Sequence, residues 1–236
     1  MRTSAIRATM GRMVDEELQR RHEQLLTRLR DVAATQGHDP ARLRIVAVTK
    51  THPIEVAEAA RSAGITLLGE SRVQEAEPKI AAVPEAEWHL IGRLQANKVR
   101  RAVRGFAAIH SVDSVELLER IVRIASEEAR HPQLLLEVNV SGEAAKAGFS
   151  AEALRAAAIP PSAEVVGLMT IAPMGVSDEG ARRQFRALSG LRDELAQRLG
   201  RALPELSMGM SADAEAAAAE GATLIRIGTA LFGPRA

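Results

Sequence analysis

The 236-residue chain has no cysteine and no tyrosine, and its aromatic residues amount to one Trp and four Phe. Without cysteine there is no disulfide framework, thiolate zinc site, iron–sulfur cluster or cysteine nucleophile. Without tyrosine, no phenol is available as an acid or base. Excess charge is also lacking: 31 Lys plus Arg stand against 30 Asp plus Glu, so no global field draws the chain to nucleic acid or an anionic membrane. No segment approaches the roughly 18 consecutive apolar residues of a membrane helix, and the first residues lack the apolar centre of a secretory signal. The six histidines form no i, i+4 pair and no His-Glu-x-x-His, so no metal site is expected. A cytoplasmic protein is the expectation.

Charged and apolar fractions of 26% and 46% are those of an ordinary soluble domain. Residues 1–13 carry Arg2, Arg7 and Arg12 with Thr3, Ser4 and Thr9 and no acid. This is the composition of a short transit peptide, of a tail, or of translation begun too early, and it is read as a flexible extension to one domain spanning 14–236. Val14, Leu18, Leu25, Leu29 and Val32 predict a first amphipathic helix running to about Ala34, stopped by Gly37 and Pro40. Thereafter short apolar runs alternate with helical periods. The strand signals are 43–49, 65–68, 88–91, 106–110, 134–140, 165–171, a weak one ending near Met208, and 223–227. Helices are predicted over 56–63, 73–82, 96–103 and 117–129, from about Ala151, over 181–195 and over 214–219. Asp113 and Glu116 read as a capping box for the fourth of these.

Eight strands, apolar on both faces and alternating with helices, predict a single (β/α)8 TIM barrel. An open doubly wound sheet is the alternative, but Thr49-Lys50-Thr51-His52-Pro53 stands where its Gly-x-Gly-x-x-Gly would follow the first strand.

Four lysines occur: Lys50, Lys79, Lys98 and Lys146. The last three fall on helices or loops, where a solvated role is expected. Lys50 ends the first strand, at the carboxyl face where barrels place their chemistry. A partly desolvated amine there can attack an aldehyde or ketone, or it can simply close the strand and reach solvent. Ser207-Met208-Gly209-Met210-Ser211 leads from the seventh strand into a helix with Ser211 as its expected N-cap, and Ile227-Gly228-Thr229 closes the eighth. Loops after strands seven and eight commonly hold phosphate. Arg226 is expected on the inward face of the last strand, either meeting a ligand's ring nitrogen or held by an internal carboxylate.

The motifs Ala47-Val48-Thr49-Lys50, Gly69-Glu70-Ser71-Arg72-Val73-Gln74-Glu75 and Trp88-His89-Leu90-Ile91-Gly92-Arg93-Leu94-Gln95-Ala96-Asn97-Lys98 occur in order. They are followed by Val138-Asn139-Val140-Ser141, Lys146-Ala147-Gly148, Gly167-Leu168-Met169-Thr170, Leu206 to Asp213, and Arg226-Ile227-Gly228-Thr229 with Phe232-Gly233. In these the chain resembles the YggS/PROSC family of pyridoxal phosphate homeostasis proteins, relatives of the alanine racemase N-terminal domain of fold type III, over almost its whole length. The resemblance implies that Lys50 carries pyridoxal 5′-phosphate as a Schiff base, that Arg226 faces its ring nitrogen, and that Ser211, Gly228 and Thr229 hold its phosphate. It also implies that Asn139 and Met169 line the pocket. Ser71 stands where the family usually has Asn, and Thr49 precedes Lys50 where the family commonly has Ser.

The implied role is a carrier that buffers free cofactor, with delivery to apo-enzymes as its extension, in a monomer or weak dimer. The rival is a racemase or related enzyme. The resemblance implies for it a lysine on one face and, on the other, a tyrosine from a further domain; this sequence has no tyrosine. A one-base reaction using Lys50, His89 or His110 stays open, as does a cofactor-free Schiff-base aldolase. The basic run Lys98-Val99-Arg100-Arg101 with Arg104 reads as a solvated helix face rather than a nucleic-acid site.

Overall fold

In a computed structural model, which describes residues 2–143, 146–173 and 175–233, eight parallel strands close into a barrel in sequence order. The strands are β1 (Arg44–Val48), β2 (Leu67–Glu70), β3 (Glu87–Leu90), β4 (Ala108–Val112), β5 (Gln133–Glu137), β6 (Val165–Met169), β7 (Glu205–Ser207) and β8 (Leu224–Ile227). β1 pairs with β8 as well as β2, and this closes the ring. Around it run α1 (Arg2–Thr35), α2 (Ile54–Ser62), α3 (Val73–Ala82), α4 (Val99–Gly105), α5 (Val115–Glu127), α6 (Ala151–Ala156), α7 (Asp178–Leu199), α8 (Ala214–Ala219) and α9 (Thr229–Phe232). No helix among the described residues is long and apolar enough to cross a membrane.

The strand pleat sorts the core into two parts. Outward residues such as Ile45, Ala47, Leu68 and Leu136 join the helices in one large apolar layer. Inward residues Val46, Val48, Leu67, Ile91, Leu135, Met169 and Leu224 form a smaller cluster inside the ring. The helices bury apolar stripes at helical spacing, as α5 does with Leu117, Leu118, Ile121 and Ile124.

The boundaries depart from the sequence expectations in physical ways. α1 starts at Arg2 rather than near Val14; extending an existing helix needs no new nucleus, and residues 2–13 contain no proline. The cap of α5 is Ser114, whose Oγ accepts from Leu117 N at 3.2 Å, in place of the capping box expected from Asp113. β5 and β6 end at Glu137 and Met169, short of the predicted 140 and 171. α7 does stop at Gly200, whose left-handed φ of 63° a glycine adopts without steric cost.

Candidate functional site

At the carboxyl end of the barrel a cavity of about 280 Å³ is lined by Val48, Lys50, Ser71, Ile91, Ser211, Arg226, Gly228 and Thr229, with His52, Ile171, Met210 and Ala212. It lies near the lower limit of the roughly 300–1,000 Å³ usual for small-molecule sites. The structure therefore brings Lys50, Arg226, Ser211, Gly228 and Thr229 to one place from β1, β8 and the loops after β7 and β8. Asn139 and Met169 do not line it. The Asn139 side chain instead organises the loop after β5, donating to Glu143 O at 2.8 Å and accepting from Ser141 Oγ at 3.1 Å and Gly142 N at 3.0 Å. Met169 is buried in the interior cluster.

Lys50 stands two residues past β1, in a turn fixed from outside the barrel. His52 N donates to Thr49 O at 3.1 Å, and Thr51 has a left-handed φ of 65°. A β-branched residue in that region is strained, and such strain collects at functional sites. Lys79 holds the same turn: its Nζ donates to Thr49 O at 2.7 Å and to Glu70 Oε1 at 2.6 Å, while Thr49 Oγ1 donates to the same carboxylate at 2.7 Å. Lys79 is 3% exposed, so the solvated role expected for it is corrected. α3 packs on the sheet beside Glu70, and the cation is buried against its partner.

Arg226 pairs in register with Val46 and is buried with its guanidinium at the cavity wall. Nη1 donates to Ser207 Oγ at 2.7 Å and Nη2 to Thr170 O at 2.9 Å, so its hydrogen-bond partners are a hydroxyl and a carbonyl, not the internal carboxylate that was one expectation. Burial brings it down to about 10, against the opposing charges of Asp213 and Glu137, and it remains a cation at neutral pH. Glu137 behaves oppositely. Burial first, and then Asp113, hold its carboxyl above the ordinary range.

The loop after β7 is built differently from the expectation. Asp213, not Ser211, is the N-cap of α8, and Asp213 Oδ1 accepts from Met210 N at 2.6 Å. Ser211 lies exposed in this turn and lines the cavity without capping the helix. Gly228 heads the single turn α9, where first amides have no intrahelical acceptor. A Cβ built on Gly228 would make only ordinary contact with Val48, the nearest atom being 3.4 Å away, so protein packing alone does not demand a glycine there. Gly92 differs: a Cβ would fall 2.3 Å from Ser71 O, so only glycine lets the loops after β2 and β3 meet at the mouth.

His89 and His110, the alternative bases, lie inside the barrel below this cavity, their ring nitrogens hydrogen-bonded to each other and to Glu87 and Ser207. The basic run is paired: Arg100 and Arg104 face Glu127 and Glu128, and Arg101 faces Glu77. Sequence reasoning missed Val48, His52, Ile91, Ile171, Met210 and Ala212. Apart from the residue positions at strand ends, nothing in their types distinguishes them. The cavity as a whole offers an amine, a guanidinium and hydroxyls around an apolar floor, suited to a small anionic carbonyl compound.

Residues 24–236 match the family described as the alanine racemase N-terminal domain. A pyridoxal phosphate homeostasis protein of Synechocystis is 43% identical over 83% of this chain and 93% of its own length. One from Aquifex aeolicus is 40% identical over 91% and 97%. The structure of PipY from Synechococcus elongatus with PLP bound superposes with a TM-score of 0.76 at 40% identity, covering 87% of this chain and all of that one. A Clostridium difficile alanine racemase, 16% identical with a TM-score of 0.69 over 89% of this chain and 56% of its own, shares the fold.

Proposed function

The chain belongs to the alanine racemase N-terminal-domain family, alongside the pyridoxal phosphate homeostasis proteins, and on that footing we propose that it binds pyridoxal 5′-phosphate for intracellular homeostasis of the cofactor. The observation that carries this reading is the convergence of Lys50, Arg226, Ser211, Gly228 and Thr229 on one cavity. The donor set fits the group: a primary amine for its aldehyde, hydroxyls and helix-start amides for its phosphate, and a cationic donor for its ring nitrogen. When bound, the group supplies an aldehyde that joins a primary amine reversibly with loss of water, the chemistry of a store that can be emptied again.

Each residue of the chain has a separable task. Lys50 holds the cofactor covalently, presented by the strained turn at Thr51. Arg226 can only donate, so it keeps the ring nitrogen an acceptor and weakens the ring as an electron sink. This favours keeping the cofactor over using it, and the absence of tyrosine from these 236 residues removes the phenolic base of a racemase. Ser211, Gly228 and Thr229 take the phosphate. Val48 and Ile91 exclude water from below. The holding unit is residues 14–236, with 1–13 as an extension to it, acting in the cytoplasm, and release to apo-enzymes completes the role.

The test is uptake of pyridoxal phosphate by wild type and by Lys50→Ala, followed by visible absorption. Wild type acquires a yellow chromophore and Lys50→Ala does not. Equal chromophores in the two proteins would sink the assignment.

A further inference from the structure

Below the cavity, polar side chains run in single file through the apolar interior of the barrel. Arg226 Nη1 donates to Ser207 Oγ at 2.7 Å; Ser207 Oγ lies 2.8 Å from His110 Nδ1; His110 Nε2 lies 2.9 Å from His89 Nδ1; His89 Nε2 lies 2.9 Å from Glu87 Oε1. The members come from β8, β7, β4 and β3. Ser207 and His110 are fully buried and His89 is 1% exposed, but the Glu87 side chain is 43% exposed at the amino-terminal end of the barrel, opposite the cavity. The file thus joins the two ends of the barrel.

Its direction follows from counting protons. Arginine can only donate, and a carboxylate can only accept. With both rings neutral, one arrangement satisfies every bond: Arg226 to Ser207, Ser207 hydroxyl to His110 Nδ1, His110 Nε2–H to His89 Nδ1, and His89 Nε2–H to Glu87. Adding a proton to His89 reverses the middle of the file. His110 must then donate to Ser207, which already accepts from Arg226, and the serine hydroxyl loses the acceptor it had. The surroundings keep His110 itself neutral. Burial first, then the neighbouring His89, Arg226 and Arg44, push His110 well below the usual histidine range. The hydrogen bond from His89 holds the Glu87 carboxyl below its ordinary value. The other charged groups facing the file are Arg44 of β1, 3.8 Å from Glu87 itself and 3.0 Å from Glu205 of β7, Glu137 of β5, and Asp213 beyond β7. β2 and β6 present Leu67, Gly69, Gly167 and Met169, and no charge.

We propose that His89, His110 and Ser207 are positioning residues: their one-directional file holds the Arg226 guanidinium at the cofactor ring and couples that ring to the ionisation of Glu87 at the far end of the barrel. The proposal rests on the functional reading above for the identity of the ring. Buried hydrogen-bonded files polarise along their length, which lets a change at one end be felt at the other.

Two variants and one direct observation test it. Glu87→Gln alters the half-exposed end, four hydrogen bonds from Arg226, and with it the ion pair to Arg44, and Ser207→Ala breaks the link beside Arg226. Pyridoxal phosphate is titrated into each protein across the pH range, with affinity and the visible spectrum read together. Ser207→Ala weakens binding about tenfold and displaces the absorption maximum, the loss expected when a charged donor is left without its acceptor. Glu87→Gln changes affinity about fivefold, the lower end of ordinary coupling between sites. It also removes from the pH profile the step that the Glu87 carboxyl contributes in wild type, because a neutral amide does not titrate. A purely structural Glu87 would leave spectrum and profile where they are, and that result overturns the coupling. Independently, nitrogen-15 spectra of the protein without cofactor should show both rings protonated at Nε2 and bare at Nδ1. A proton on His110 Nδ1 overturns the file even if Ser207→Ala does not fold. Wild type that takes up no pyridoxal phosphate would overturn the functional reading and the role at the ring, while the ring tautomers would still decide the file.

Discussion

At Thr49 the backbone carbonyl accepts from both Lys79 Nζ and His52 N, and this pair of bonds sets the turn from which Lys50 projects. Glu70, fully buried beside it, balances the Lys79 charge. Lys79→Met leaves that carboxylate without its cation, and breaking a buried pair from one side costs about 3–5 kcal/mol. Urea denaturation of the protein without cofactor should show this loss, with more than half of it recovered in the Lys79→Met, Glu70→Gln double variant. A single variant as stable as wild type would mean the pair does not hold the turn. Arg226→Gln addresses the other wall. It should retain cofactor uptake while shifting the chromophore, because the amide is neutral where the guanidinium was charged; loss of all cofactor would make Arg226 a structural group. Lys50 was legible in the sequence because a strand end in a barrel faces the mouth. Lys79 was not, because its burial depends on Glu70, whose strand position says nothing about which helix packs on it.

α4 and α5 are clamped by charge on the outer surface. Arg104 and Arg100 hold Glu128 at about 2, against an ordinary value of 4.5. A carboxyl lowered on folding contributes stability that is complete above its unfolded value and disappears as pH falls through its folded one. The difference in urea midpoint between wild type and Glu128→Gln should therefore be constant near neutral pH and vanish between 4.5 and 2. A difference that persists at the acid end would assign the effect to packing. These pairs also explain the basic run: Arg101 faces Glu77 of α3, and Arg100 and Arg104 face Glu128 at the C-cap of α5. The eight strands were legible because apolar runs on both faces belong to covered parallel strands. Their ends were less so. Val138 and Val140 continue the apolar signal of β5 past its end, yet the backbone there pairs Val138 with Phe149. Likewise the cap of α5 is a choice between adjacent Asp113 and Ser114 that only backbone geometry decides.

At the scale of the whole molecule, closure of β8 on β1 sets Arg226 beside the strand that delivers Lys50, so that residues 176 positions apart share one cavity. Cofactor binding should stabilise the entire barrel: at a free concentration of about 100 times Kd the gain is about 2.7 kcal/mol. For a domain of this size that raises Tm by about 5–10 °C. Lys50→Ala should lose most of the rise, and an equal rise in the variant would argue that the amine contributes little. The ring of site residues at strand ends could be read from the sequence, since strands end where helices must begin. Asn139 could not be placed, because a short polar side chain satisfies its own loop as readily as a ligand. The interior file from Arg226 to Glu87 was equally hidden: Glu87, His89 and Ser207 alternate like ordinary strand residues, and only the register of four strands aligns them. The central claim is tested most directly by borohydride reduction of the protein with pyridoxal phosphate, followed by peptide mass mapping. The account predicts one pyridoxyl group, on the peptide containing Lys50; a label on Lys79, Lys98 or Lys146 instead, or on no peptide, would contradict it.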